Sequence, residues 1–497
     1  MTTPVPSIRT KVLAGAAWMV AIKWTFRLLG LVSTMVLARL LTPEDFGIVA
    51  IAMALVAILD SFFDFGFDIA LIKNKEPTRE DYDLVWSLRF TNMLIFAALV
   101  ALTSPLIAHY ANAPESIAIC LVLALSIALR GLHNIGTINF QKELEFSRLF
   151  QFQLYPRLLS VTTTIVLAFW LRTYWAIVLG ALANTLYSVA FSYIMSPFRP
   201  RLRFRGARSI WVFSKWVLLA NMTRQMFNAL DKLLLSGLVS KVQLGYFNIA
   251  ANLSSIVTIE LISPVGAALM PGFAKLQSEP ERLRDAFFQS MTVLFALILP
   301  AGFGVWLVAP ELVFVILGWQ WEGAIHFVAL FGIFFLFFSL TETISNFMAM
   351  VGLIHQSALA SLIRTLLFAA GFYFAFLFDG IEGVIYLKIA LSVLEVGVLF
   401  YLSCRFLQCG AAIGWQLIWR PVLSVAAMAM AVSSLPPIPG AVPVTLLAIK
   451  VGIGGLIYAV TSLALWKLAG KPRGLESLVL DTLNQRLGTR FETTTPR

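Results

Sequence analysis

The feature that most constrains this chain is a succession of apolar runs parted by short polar breaks. Each run is close to the 20 or so residues a helix needs to cross a bilayer core. Cutting at the polar, Gly and Pro punctuation gives about fourteen of them: 12–40, 44–69, 80–108, 115–138, 148–171, 173–196, 209–238, 243–270, 284–309, 324–351, 355–378, 381–406, 415–435 and 442–468. Continuous runs without ten-residue alternation argue against an outer-membrane barrel. Composition agrees, with 59% of 497 residues hydrophobic and 13% charged and a mean hydropathy of +0.85, beyond any soluble globular composition. The expectation is an all-α integral membrane protein of about 14 transmembrane helices.

The net charge of +11 would suggest nucleic acid in a soluble protein, but here it sorts by loop. Arg9 and Lys11, Lys73 to Arg79, Lys142 and Arg148, Arg199 to Arg208, Lys275 to Arg284, Arg405, and Lys467 to Arg473 fall on one side. The other side keeps little beyond Arg39, Arg172 and Lys241. The positive-inside rule then places both termini in the cytoplasm. RPRLRFRGAR, lying between two spans, reads as a topology and anionic-lipid signal, so membrane lipids and no nucleic acid are expected as partners. No cleavable signal peptide is expected, because the small residues Ala14 to Ala17 precede the first apolar run, and the first helix stays. Cys120, Cys404 and Cys409 read as packing or interface residues. His109, His133, His326 and His355 are scattered, outward loops are short, and no phosphate-cradling loop or nucleophile arrangement occurs. Neither an enzyme nor a cofactor or metal site is expected.

The chain also repeats itself. A shift of 198 positions lays LARLLTPEDFGIVAIAMALVAI on LSGLVSKVQLGYFNIAANLSSI, matching Leu37 with Leu235, Gly47 with Gly245, Ile51 with Ile249 and Leu55 with Leu253. An even number of spans separates the copies, so both halves share one orientation about an axis along the membrane normal. The predicted organisation is two parallel six-helix lobes, 1–198 and 209–408, joined by a basic cytoplasmic connection, 199–208. Two additional C-terminal helices (409–470) and a cytoplasmic tail (471–497) follow, the tail carrying a helical apolar spacing suited to the membrane surface.

Polar residues inside apolar runs carry the functional signal, since an ionised side chain at the bilayer centre costs roughly 2.5–3.5 kcal/mol. Lys23, Arg27, Gly30 and Thr34 share one face of the first helix, and the repeat carries that face to Asn221, Gln225, Asn228 and Lys232. Two facing walls of a transport cavity would show this recurrence. Asn248, Asn252 and Ser255 form a further polar face, with Glu260 beyond it. Isolated cations stand at Arg89, Arg130, Arg157, Arg224 and Lys388, and carboxylates at Asp60, Asp64, Asp231, Glu342 and Glu395. The structural alternative is mutual neutralisation: Lys23 with Asp64, Arg27 with Asp60, Arg224 with Asp231, and Lys388 with Glu395. The 40 Phe residues read mostly as lipid-facing filler.

The turn LARLLTPEDFGIVAIA, the following FFDFGFDIALIK, the span count and the weaker repeat at LLLSGLVSKVQLGYFNIA resemble the Wzx-type polysaccharide flippases. Their superfamily also holds the MATE drug exporters and the lipid II flippase. The resemblance implies a bacterial inner-membrane carrier that turns polyprenyl-diphosphate-linked oligosaccharide to the outer leaflet, before assembly of exopolysaccharide, capsule or O-antigen. Polysaccharide polymerase and chain-length proteins are the partners it implies. A cationic cavity would receive the diphosphate, and the positions that fit are Lys23, Arg27, Arg89 and Arg224. The amides Asn221, Gln225, Asn228, Asn248 and Asn252 suit sugar hydroxyls. Asp60, Asp231, Glu260, Glu342 and Glu395 are candidates for a coupling ion. Two alternatives are a cation-coupled drug exporter, which would want an acidic cavity, and a non-transporting membrane scaffold for polysaccharide enzymes.

Overall fold

The structure, a computed structural model, describes residues 8–63, 71, 77–143, 145–204, 226–227, 229–275, 279–410, 413–436 and 442–470. They are helical almost throughout. The elements are α1 (Ile8–Leu40), α2 (Pro43–Ser61), α3 (Arg79–Tyr110), α4 (Glu115–Gly131), α5 (Ile138–Lys142), α6 (Phe146–Leu171), α7 (Trp175–Met195), α8 (Lys241–Lys275), α9 (Pro280–Leu307), α10 (Ala309–Ile316), α11 (Ile325–Met350), α12 (Ile354–Phe406), α13 (Ile413–Ser433) and α14 (Pro443–Leu468). Residues 229–236 are also helical.

Seven helices among the described residues are long and apolar enough to cross a membrane, or eight if the bent pair α4 and α5 is one span. One of the seven, α12, has 53 residues, about 80 Å of helix and more than two bilayer cores. It breaks at Asp379 and Gly380, where Gly380 has φ +56° and ψ −135°, a conformation open to a residue without a β-carbon. The two expected runs 355–378 and 381–406 are the two arms of this hairpin. The seventh expected run, 209–238, lies largely outside the described residues.

The sequence TPED opens α2 by a capping box. Thr42 accepts the Asp45 N–H while Asp45 accepts the N–H of Thr42, satisfying two donors that a helix start leaves open. At the matched positions of the repeat, Ser240 and Gln243 make the same reciprocal pair at 3.2 Å. The two helix starts also touch reciprocally. A β-carbon on Gly47 would lie 1.7 Å from the Lys241 carbonyl oxygen, and one on Gly245 would lie 1.9 Å from that of Pro43. Pro43 and Lys241 are themselves repeat mates, so the local arrangement is two-fold symmetric.

By internal packing the chain divides into units 1–248 and 249–497. In the first, α3 packs on α4, α6 on α7, α1 on α6, α4 on α7, and α2 on both α3 and α4. The basic connection is docked along its first part. Arg201 donates its backbone N–H to buried Asp83 (2.9 Å), Arg203 donates to Ser87 (2.7 Å), and Asn134 holds the Phe198 carbonyl (2.7 Å). These residues serve α3 as well as any lipid; Arg205 to Arg208 and the tail lie outside the described residues.

In the second unit α9 packs on α11 and α13, α11 on α12, and α13 on α14. The last helix, α14, is tied in by the Tyr458 hydroxyl, which donates to the Ala296 carbonyl at 2.7 Å, and by Lys450 against Glu311 at 2.5 Å. The filler reading of phenylalanine is wrong for much of the chain. Phe96, Phe227, Phe247, Phe287, Phe331, Phe334, Phe347 and Phe368 are fully buried, and Phe287 meets Phe347 at 4.4 Å in the core of the second unit. Ring-on-ring packing can hold helices together where lipid tails remove the usual hydrophobic drive.

Candidate functional site

Arg157 follows Pro156 inside α6, and its guanidinium is aimed at α1. Its Nη2 lies 4.0 Å from where a β-carbon on Gly30 would stand. The small residue thus admits a second cation to the α1 face that carries Arg27, itself half-buried. Beside them opens a cavity of about 400 Å³ between α1, α2, α4, α6 and α7, lined by Ser33, Arg130, Arg157, Ser160, Thr164, Asn184 and Thr185 among others.

Its walls are close-packed because Gly180 on α7 has no side chain; a β-carbon there would meet the Thr164 hydroxyl at 2.0 Å. Three of the wall hydroxyls are satisfied as donors. Ser160 donates to the Gly180 carbonyl (3.2 Å), Thr164 to Ser160 (2.7 Å) and Thr185 to Ala181 (3.3 Å). In this arrangement they offer lone pairs to a ligand, the two arginines offer charged N–H groups, and Asn184 offers both.

Arg130 sits in the last turn of α4, where a cation complements the helix dipole, and pairs with Asp60 at 2.9 Å. Asp60, which the neutralisation alternative offers to Arg27, is thus held by Arg130. The last turns of α2 and α4 lie side by side, and Arg130 reaches the carboxylate that ends α2.

The other expected residues divide as follows. Lys23 lies in α1, but its side chain is outside the described residues, as are the side chain of Glu260 and all of Asp64, Asn221, Arg224, Gln225 and Asn228. Arg89 is half-buried on α3, outside the cavity lining. Asn248 accepts a hydrogen bond from the Lys232 ammonium at 2.7 Å, and Asn252 is exposed. Asp231 is buried and accepts from the Lys232 backbone at 2.7 Å. Glu342 is half-buried.

Glu395 is buried with Arg364, which pairs with its Oε2, and with Ser361, which donates to Oε1 at 2.8 Å. Lys388, which the neutralisation alternative offers to Glu395, stands 4.7 Å over the Phe334 ring and 5.8 Å over Phe368, a cation–π arrangement. The reason is the α12 hairpin: Arg364 and Glu395 are equidistant from the break and meet across it. Lys388 and Glu395, on one arm, are about 10 Å apart along the axis.

Arg130 and Arg157, isolated cations in the sequence outside the expected diphosphate set, line the cavity. The available signal was an intramembrane arginine, a functional candidate by default. What could not be read was which helices surround it.

A family profile described as "Polysaccharide biosynthesis protein" matches residues 36–326, more than half of the chain. The chain belongs to this family. Among its relatives is the lipopolysaccharide biosynthesis protein WzxC of Escherichia coli (strain K12), 28% identical over 324 residues, with 64% of this chain and 66% of WzxC covered. The succinoglycan biosynthesis transport protein ExoT of Rhizobium meliloti (strain 1021) is 25% identical over 325 residues, 65% of each chain. The matched region thus spans just under two thirds of each of these relatives. Among solved structures, lipid II flippase MurJ in an inward closed conformation superposes with a TM-score of 0.72 at 14% identity, covering 90% of this chain and 99% of that one. An inward-facing multidrug MATE transporter gives 0.55 at 15% identity, covering 78% and 99%. The chain therefore has the all-α fold of these proteins and is a multi-pass membrane protein.

Proposed function

We propose that this protein is a flippase that carries polyprenyl-diphosphate-linked oligosaccharide across the bacterial inner membrane by alternating access, with both termini in the cytoplasm. The observation that carries the reading is the placement of Arg157 and Arg130 on one intramembrane cavity, against the Arg27 face of α1. A diphosphate headgroup bearing about two negative charges cannot cross hydrocarbon unaided. Arginine side chains replace its lost hydration with charge-assisted, often bidentate hydrogen bonds. The hydroxyl lone pairs and the Asn184 amide of the same cavity suit the first sugar. Lys23, Arg89 and Arg224 complete the proposed diphosphate set. Asn221, Gln225, Asn228, Asn248 and Asn252 remain the proposed sugar contacts of the second repeat. The names of the relatives, polysaccharide transport and biosynthesis proteins, support the substrate class. Polymerase and chain-length proteins are the proposed partners downstream.

An inside-negative potential favours outward movement of negative charge by about 2.3 kcal/mol per charge per 100 mV, so about 4.6 kcal/mol for a diphosphate. Two of the carboxylates considered for a coupling ion, Asp60 and Glu395, already have guanidinium partners, which favours the potential as the drive. A drug exporter for organic cations would be opposed by the same arginines.

The test is transport of a fluorescent polyprenyl-diphosphate sugar in proteoliposomes. Arg157→Ala is expected to lower the rate at least tenfold, the scale of one lost charged hydrogen bond of about 1.5–3 kcal/mol. Wild-type rates that survive collapse of pH and sodium gradients support the potential as the drive, and an unchanged Arg157→Ala rate removes the cavity from the mechanism.

A further inference from the structure

We propose that a second, apolar pocket on a neighbouring face of α2 holds the polyprenyl chain of the substrate; this rests on the flippase reading above. The pocket, about 400 Å³, lies between α2, α3 and the helical residues 229–236, and its walls are Leu55, Leu106, Ile107, Leu233 and Leu234 with Thr103 and Tyr110. Its two polar side chains are both used elsewhere. Thr103 donates to the Leu99 carbonyl of its own helix at 2.7 Å. Tyr110 donates to the Leu234 carbonyl at 3.0 Å, one of the carbonyls that a helix end leaves without an intrahelical donor. Gly237 makes that bond reachable, since a β-carbon there would lie 2.5 Å from the Tyr110 ring.

A ligand with hydrogen-bonding groups would lose its hydration here and gain nothing in return. The occupant is therefore hydrocarbon. Access is from the lipid side: Leu106 is 71% exposed and Leu102, one turn earlier on the same face of α3, is 78% exposed. A chain already in the bilayer enters without crossing water.

Two hydrocarbon sources exist, the acyl chains of bulk lipid and the polyprenyl chain of the carrier lipid. The position decides between them. Leu55 lines the apolar pocket and the next residue, Val56, lines the arginine cavity. One helix, α2, therefore borders the arginine cavity and, about 100° round its axis, the apolar pocket. A molecule with an anionic head and a long hydrocarbon tail matches that pair of sites; a phospholipid with its headgroup in the interface matches only one of them.

The experiment compares two substrates carrying the same diphosphate sugar, one on a long polyprenyl chain and one on a geranyl chain, in proteoliposomes of the full-length protein. Leu106→Trp and Leu233→Trp each fill the pocket. The ratio of long-chain to geranyl transport is expected to fall by about tenfold, the lower end of what a small misfit in an apolar pocket costs. An unchanged ratio in both variants overturns the proposal. Photolabelling of wild-type protein supplies a second arm that does not depend on variant folding. A polyprenyl diphosphate with a diazirine in its tail should label residues 102–110 and 233–234, and unlabelled polyprenyl diphosphate should compete. Labelling there by a diazirine phosphatidylcholine without such competition assigns the pocket to bulk lipid and overturns the proposal. Wild-type protein that moves neither substrate sinks the flippase reading instead, and the photolabel then decides the pocket by itself.

Discussion

Gly47→Ala tests the reciprocal crossing of the two repeat helices. The new methyl carbon would stand 1.7 Å from the Lys241 carbonyl oxygen, whereas even a close carbon–oxygen contact needs about 3.3 Å. The start of α8 must therefore retreat by about 1.6 Å. The obstructing atom is backbone, which cannot rotate away as a side chain can. Overpacking of this kind costs about 1–3 kcal/mol, and the upper end applies here. Replacing glycine by alanine inside a helix returns about 1 kcal/mol, so the net loss is about 2 kcal/mol. Gly245→Ala, 1.9 Å from the Pro43 carbonyl, should lose as much. Once one methyl has separated the helices the second finds room, so the double variant should fall short of the sum by about 1–2 kcal/mol. The measurement is SDS-titrated unfolding of the purified protein in mixed micelles. Gly304→Ala is the control, because nothing lies within 4 Å of its β-carbon position, and it should be neutral or slightly stabilising. If Gly47→Ala behaves like Gly304→Ala, or if the two crossing variants add without coupling, the reciprocal contact does not exist as described.

Two further outcomes follow from named contacts. Arg364→Leu leaves Glu395 buried without its guanidinium and should destabilise by about 3–5 kcal/mol, while Arg364→Leu with Glu395→Leu should recover most of that loss in the same titration; equal losses in both would mean that the pair is not the stabilising unit. Thr42→Ala removes the α2 cap and should cost about 1 kcal/mol, and Ser240→Ala a similar amount at the matched position; hydrogen exchange confined to the first turns of α2 and α8 reads out the fraying.

The sequence alone determined the class of protein, because apolar runs of bilayer length admit one solution, a helix whose backbone bonds are internal. It also showed the repeat, down to helix starts that later proved to carry matching caps at Thr42 and Ser240. Those features depend on residues near one another in the chain. The pairing of charges did not. Asp60 goes to Arg130 and Glu395 to Arg364, each choice set by which helices lie side by side. Spacing along one helix could offer Lys388 to Glu395, but only the break at Asp379 and Gly380 brings Arg364 level with it. The cavity was equally hidden, since Arg157 belongs with Arg27 only when α6 packs on α1 at Gly30. Local chemistry is written residue by residue, whereas a cavity is a property of five helices at once. Tertiary packing therefore decided which of the many intramembrane cations stand together.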